Sequence, residues 1–369
     1  MSALSHIVTF PEALGTGIVI AFDKPAAQGF QAMTTSLIEG YERELSRFRD
    51  DSTVSAMAHA RHGGSFEFSS GLAPLFDIYD ALYRSTSGAI DPLIGADLVR
   101  LGYGPDLSFE MQADAFERNG AVNGRACWPD AVERDGATLR THRAVQLDFG
   151  AVGNGFLVDM ISQRIDSLDD AASESTASRT PGPTLGSTSK SESEYVIDAG
   201  GDLRIHTSQP QSIALEDPSD TSKAIGTASL CDASLCASAP SRRHWFVKDP
   251  RPSQIQETAQ DGRQPQGHGG MAHESQLILM HHLLNAIDGT PVRDIAASWV
   301  CLATASARLH GIDHPTAWAD GISTALFVTD PGILASNLSQ NVTFDCAVLD
   351  SHRQAGMSAH FPGRFFTHE

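Results

Sequence analysis

Leu147-Asp148-Phe149-Gly150-Ala151-Val152-Gly153-Asn154-Gly155-Phe156 is the stretch whose reading decides how this chain folds. Three glycines within six residues follow an apolar run and precede another, the pattern of a strand that turns sharply and starts a helix. The apolar spacing beyond it predicts a helix from Gly155 to Leu168. Upstream, Gly17-Ile18-Val19-Ile20-Ala21-Phe22 reads as a buried strand, and Ala26 to Phe48 as a helix. Leu72 to Arg84 reads as a second amphipathic helix, with Pro74 tolerated because it falls in the first turn. Downstream, strands are expected around Tyr195 to Ile205 and Leu277 to Leu284, so the class is α+β.

Two segments break this pattern. Residues 169–194 are rich in Ser, Thr and Ala, with Pro181, Gly182 and Pro183, and are too poor in apolar side chains to offset the entropy of their own ordering. They read as a disordered insertion. Residues 249–274, rich in Gln, Gly and Pro, read as a surface-loop insertion. The rest of 1–369 reads as a single catalytic unit.

Charge and cysteine usage exclude several classes. With 26 basic and 45 acidic residues the net charge is -19, which disfavours a phosphate-backbone partner, and no local basic patch reverses it, so no nucleic acid is expected. Five dispersed cysteines, without close pairing, suggest neither a disulfide framework nor a zinc site, and read as buried thiols in a reducing compartment. Met1 to His6 shows no basic segment leading into a long apolar one, and no lipid-attachment cysteine follows. No membrane anchor and a cytoplasmic location are the corresponding expectations.

The chemistry-bearing pattern is Ala319-Asp320-Gly321-Ile322-Ser323-Thr324-Ala325-Leu326-Phe327-Val328. On a helix, Asp320 and Thr324 share one face, and a carboxylate beside a hydroxyl is a hard oxygen pair suited to Mg2+. Helix solvation and capping is the commoner use of such a pair.

Taken with four other segments in order, this element resembles the ApbE-type FAD:protein FMN transferases. Ser87-Gly88-Ala89-Ile90-Asp91-Pro92 with Gly102-Tyr103-Gly104 is similar to one family motif, and Leu147 to Phe156 with Val158-Asp159 to a second. Val196-Ile197-Asp198-Ala199-Gly200-Gly201-Asp202 resembles a third, and His282-Leu283-Leu284-Asn285 with Gly289 and Pro291 a fourth. The resemblance spans nearly the whole chain and implies the family's two-lobed, T-fold-like architecture.

It also implies roles. FAD is the substrate, an acceptor protein supplies a Ser or Thr hydroxyl, and AMP leaves. Mg2+ would be held by Asp320, Thr324 and the backbone carbonyl of Ala151. Gly88, Ala89 and Asp91 would meet the flavin or its ribityl chain, and Tyr103 would pack on a ring, although Asp91-Pro92 reads equally as a turn. Asn154 stands in the flavin-nucleotide site, Ser238 would donate to a phosphate, and His282 would reach a phosphate or the adenosine. For Ser238 a merely solvated loop position is the alternative, and for His282 a core histidine bonded to backbone. Asp159 and Asp202 read as scaffold carboxylates.

Five departures qualify the resemblance. Asn154 replaces the family's usual lysine, Asn285 its aspartate, Asp288 the threonine before glycine and Ala58 an asparagine, and the link from Ala307 to Pro315 is longer than usual. Two further functions therefore stay in view, an FAD pyrophosphatase yielding FMN and AMP at the same site and a flavin-binding protein without catalysis.

Overall fold

A computed structural model describes residues 4–177, 192–248 and 277–366, with side chains of 172–177 left aside. The chain opens with strands β1 (His6–Phe10) and β2 (Ile18–Phe22), then helices α1 (Phe30–Leu45) and α2 (Thr53–His59). Strand β3 (Gly64–Glu67) leads to α3 (Ala73–Ser85), whose first turn holds Pro74 as expected. Three short helices follow, α4 (Gly95–Arg100), α5 (Ala115–Arg118) and α6 (Trp128–Ala131), then β4 (Val132–Asp135) and β5 (Thr138–Thr141). Helix α7 (Gly153–Ala177) precedes β6 (Tyr195–Asp198) and the long pair β7 (Asp202–Asp217) and β8 (Asp220–Ser238). Next come the short strands β9 (His244–Lys248), β10 (Leu277–His281), β11 (Leu284–Asn285) and β12 (Thr290–Pro291). The chain closes through β13 (Ile295–Ala303), α8 (Thr304–Leu309), α9 (Pro315–Ala325), α10 (Pro331–Leu338), β14 (Asp345–Asp350), β15 (Ala355–Met357) and β16 (Gly363–Phe365).

The central element is an antiparallel sheet in the order β1-β2-β6-β7-β8-β13-β14-β15, with β16 added on β8. Its strands obey the two-residue alternation of a sheet covered on both faces. In β13, Val300 and Leu302 join the large core beneath α1, α3, α7, α9 and α10, while Trp299 and Cys301 turn to a second core closed by Phe361. A third, smaller core gathers Leu98, Leu101, Trp245, Met280 and Leu284 from α4 and the β9 to β11 region. The mixed helix and sheet composition matches the α+β expectation.

Several element boundaries depart from the sequence reading. The first helix starts at Phe30 because Gly29 takes a left-handed φ of 82°, and it ends at Leu45, where Ser46 is extended. The Asp169–Ala177 part of the expected disordered insertion is helical, as the end of α7. Lack of a core is not enough to stop a helix there, since a helix already nucleated on a packed face adds residues at little cost. The far side of that insertion is also anchored, Ser193 donating from its amide and hydroxyl to Asp169 at 2.7 and 2.9 Å. Residues 178–191 and the expected loop 249–274 lie outside the described residues. Among the described residues no helix is long and apolar enough to cross a membrane.

Candidate functional site

Helix α9 carries the site, and α7 fixes it in place. The first amides of a helix lack internal partners. Here Asp159 of α7 accepts from two of them, Thr316 N–H at 3.1 Å and Ala317 N–H at 2.8 Å. The reciprocal contact runs the other way, Gly155 N–H near the start of α7 donating to Asp320 Oδ2 at 2.9 Å. Each carboxylate thus sits at the positive end of the other's helix. The helices touch so closely that a Cβ at Gly155 would lie 2.4 Å from the carbonyl oxygen of Thr316, which explains the need for glycine there.

Thr324 follows Asp320 by one turn of α9, as its spacing predicts. Ser323 donates to the Asp320 carbonyl at 2.8 Å, which spends its only proton. Ser238 Oγ, 2.7 Å from Ser323 Oγ, is therefore the donor to Ser323, and Thr324 Oγ1, at 3.3 Å from Ser238, turns its proton towards that serine. The lone pairs of Thr324 are left to accept. Ser238 is no solvated loop residue: it ends the long strand β8 and is buried. The Ala151 carbonyl oxygen lies 3.8 Å from where a Cβ on Gly321 would stand, so it faces α9 as well. Asp320, Thr324, Ser238 and the Ala151 carbonyl, from three distant stretches of sequence, adjoin one short helix.

The electrostatics are those of a site with too much negative charge. Burial pushes Asp320 well above the usual carboxylate range, and the charges of Asp202 and Asp159 push it further, against the Gly155 amide and the charge of Arg243. Burial raises Asp202 to about 7, although the Cys236 thiol and the Asn154 amide favour its charged form. Its Oδ1 is buried without a hydrogen-bond partner. Burial likewise raises Asp159 to about 7, against its bonds to α9. Such a cluster favours either protonation or a cation. Among the described residues no three His, Cys, Asp or Glu side chains are disposed to hold a metal ion. The donors fit a cation only as a mixed oxygen set of one carboxylate, one hydroxyl and one carbonyl, the chemistry Mg2+ accepts because it keeps several waters.

His282 lies between β10 and β11, with Nδ1 3.2 Å from the Arg243 carbonyl oxygen. Since that oxygen only accepts, Nδ1 carries the proton and Nε2 is left as an acceptor. Burial, helped by the charge of Arg243, lowers its pKa to about 4, so the ring is neutral. Nearby, Asp148 accepts from Arg47 Nε at 2.5 Å and from Gly150 N–H at 2.7 Å. Burial would raise this carboxyl, but the charge of Arg47 and these bonds hold it below its ordinary value. Arg47 also lies over the rings of Phe48 and Tyr103, and Tyr103 stacks on Trp245 with centroids 5.2 Å apart. Tyr103 is thus built into an aromatic group beside the site.

The remaining expected flavin contacts have internal partners. Gly88 closes α3 with a left-handed φ of 87°, and the Ala89 carbonyl accepts from Ala286 N–H at 3.0 Å. Asp91 is buried, accepting from Leu93 N–H at 2.8 Å, Arg125 at 3.2 Å and Trp128 N–H at 3.3 Å. Its turn role is the one this geometry displays. Two of the departures also prove to be turn chemistry. Asn285 Oδ1 accepts from Ile287 N–H at 2.9 Å and Asp288 Oδ1 from Thr290 N–H at 2.9 Å, bonds that shape the β11–β12 turn. Sequence reasoning missed Tyr41, which donates to the Gly153 carbonyl at 2.7 Å, and Arg243. Neither stands in a motif, and only Asp202, placed in the Val196–Asp202 segment, carried a signal.

Residues 14–171 match the model of the ApbE family. No curated protein matches the chain. The fold is similar to that of solved structures over nearly their full lengths. The ApbE protein of Thermotoga maritima aligns with a TM-score of 0.69 at 17% identity, covering 96% of this chain and 98% of that one. The flavin transferase ApbE of Vibrio cholerae aligns at 0.65 and 16%, covering 96% and 97%. The apo flavinyl transferase ApbE of Pseudomonas stutzeri aligns at 0.62 and 18%, covering 97% of each chain.

Proposed function

We propose that this chain, whose residues 14–171 match the ApbE family model, is a flavin transferase that moves FMN from FAD to a Ser or Thr hydroxyl of an acceptor protein. The observation that carries the reading is the meeting of Asp320, Thr324 and the Ala151 carbonyl at α9, inside a cluster of buried carboxylates that calls for a cation. In the overall step the acceptor oxygen forms a bond to the FMN-side phosphorus, the bond to the AMP oxygen breaks, and the acceptor's proton is balanced on the AMP side.

Asp320, Thr324 and the Ala151 carbonyl would hold Mg2+, and Asp159 and Gly155 keep Asp320 in place. When bound, Mg2+ supplies charge neutralisation to the diphosphate and orients it. Ser238, whose proton is used on Ser323 and not on a phosphate as expected, would serve by holding Thr324 in position. The neutral His282 offers Nε2 as an acceptor for the attacking hydroxyl's proton.

The test is to incubate the protein with FAD and a Ser/Thr-bearing acceptor peptide, with Mg2+ or with EDTA. AMP release together with a flavin-labelled peptide in Mg2+ is the expected result. AMP with free FMN in place of labelled peptide would identify a pyrophosphatase, and bound FAD that stays intact a binding protein.

A further inference from the structure

The strands β11 and β12, two residues each, form a hairpin too short to hold its own geometry. Yet His282, two residues ahead of β11, must keep one ring orientation if its Nε2 is to remain an acceptor. The hairpin is held from outside. Ala286 N–H, at its turn, donates to the Ala89 carbonyl at 3.0 Å, and the Ala286 carbonyl accepts from Ala121 N–H at 3.1 Å and from Arg125 Nη2 at 2.6 Å. On the other side of the turn a Cβ at Gly289 would lie 2.5 Å from the Cβ of Asn119, so the hairpin sits directly on the loop between α5 and α6. Arg125 belongs to that loop. Its Nη1 pairs with Asp91 at 3.2 Å and its Nε lies 2.7 Å from Asp97 of α4, with 3% or less of each of the three side chains exposed.

We propose that Arg125 is a positioning residue, whose guanidinium locks the β11–β12 hairpin to residues 89–91 and so fixes the ring of His282. Its consequence for catalysis rests on the flavin-transfer reading. One planar fork addresses three elements at once, the hairpin through the Ala286 carbonyl, the turn after α3 through Asp91, and α4 through Asp97. An arginine buried between two carboxylates is a poor source of stability, because apolar side chains of similar volume hold a core as well or better. What it supplies instead is a fixed geometry. The clamped Ala286 is only four residues from His282. A shift of the hairpin would draw the ring away from the Arg243 carbonyl, and that bond at 3.2 Å is what assigns the proton to Nδ1. A ring protonated on Nε2 can accept no proton there.

The experiment compares wild type with Arg125→Lys, whose single ammonium cannot reach all three acceptors, and with the triple variant Asp91→Asn/Asp97→Asn/Arg125→Met, which removes the buried charges together. Leu349→Ala, in the second core, is the control for lost stability alone. Nitrogen-15 spectra near pH 8 read the His282 tautomer, its signals being identified by their loss in His282→Gln. AMP release with FAD, Mg2+ and an acceptor peptide reads kcat and KM. Both Arg125 variants should show His282 partly protonated on Nε2, and kcat about tenfold lower with the KM for FAD little changed. Leu349→Ala should melt at a lower temperature and keep the wild-type tautomer and kcat. The wild-type tautomer or an unchanged kcat in a folded Arg125 variant, or the same tautomer change in Leu349→Ala, would overturn the proposal. So would a wild-type His282 that is not protonated on Nδ1, or failure of both Arg125 variants to fold. A wild type that releases no AMP would overturn the flavin-transfer reading and leave the tautomer to decide the role of Arg125.

Discussion

Asp320 is the side chain on which most depends, because its carboxylate is both the only acidic member of the proposed oxygen set and the acceptor for the start of α7. Asp320→Ala should lower metal-dependent AMP release from FAD by about a hundredfold. Full activity in that variant would remove the metal assignment. Thr324→Val should cost less, since it deletes a neutral donor. Asn154 is the informative departure, and the structure sharpens what it does: its amide lies by Asp202, a buried carboxyl raised to about 7. A lysine there would give Asp202 a counter-charge as well as one for the diphosphate. Asn154→Lys is expected to raise FAD turnover by roughly tenfold. Unchanged turnover, measured as AMP release, would leave Asn154 with only its contact to Asp202 in the first turn of α7.

At the scale of elements, the α7–α9 contact is the part that cannot be loosened without losing the site. Asp159→Ala leaves two amides of α9 without acceptors, which should cost about 1–2 kcal/mol of stability. Because those amides hold the helix that bears Asp320 and Thr324, activity should fall with it, and Asp159→Asn should recover part of both. Gly155→Ala tests the same contact by volume. Its Cβ would meet the Thr316 carbonyl at 2.4 Å, so α7 and α9 must separate, and overpacking of this kind costs about 1–3 kcal/mol. Calorimetry beside AMP release separates the outcomes: a Gly155→Ala protein as stable and as active as wild type would refute the close packing. The sheet contributes Ser238 and Asp202 through β8 and β7, so strand register decides which hydroxyl and which carboxylate face α9.

The whole molecule carries a net charge of -19 and gathers three carboxyls in one buried place. Asp159 and Asp202 both titrate at about 7 when folded, against roughly 3.9 for an unfolded aspartate. Between those values the folded chain keeps protons that the unfolded chain has released, so this contribution to stability is present at acid pH and is lost as pH rises through about 7. The ligand-free protein should therefore melt at a higher temperature near pH 6 than near pH 8. If Mg2+ enters this cluster, it should raise the melting temperature more at the higher pH, where the carboxyls are already charged. Equal shifts at both pH values in a thermal scan would place Mg2+ elsewhere.

What the sequence by itself determined was local. The one-turn spacing of Asp320 and Thr324, the Pro74 helix start and the strand at Ile18 to Phe22 each follow from the geometry of a single element and appear where the pattern placed them, whereas α7 starts at Gly153, two residues ahead of the expected Gly155, and residues 145–149 before its turn are not a strand. Short-range periodicity carries that information because neighbours in sequence are neighbours on one face. The tertiary structure decided the rest. Asp91 became an internal cap, Ser238 a buried strand end, α7 ran on to Ala177, and Asp202 moved from scaffold to a member of the carboxylate cluster. None of these could be read from spacing, since each depends on stretches of chain that only the fold brings together.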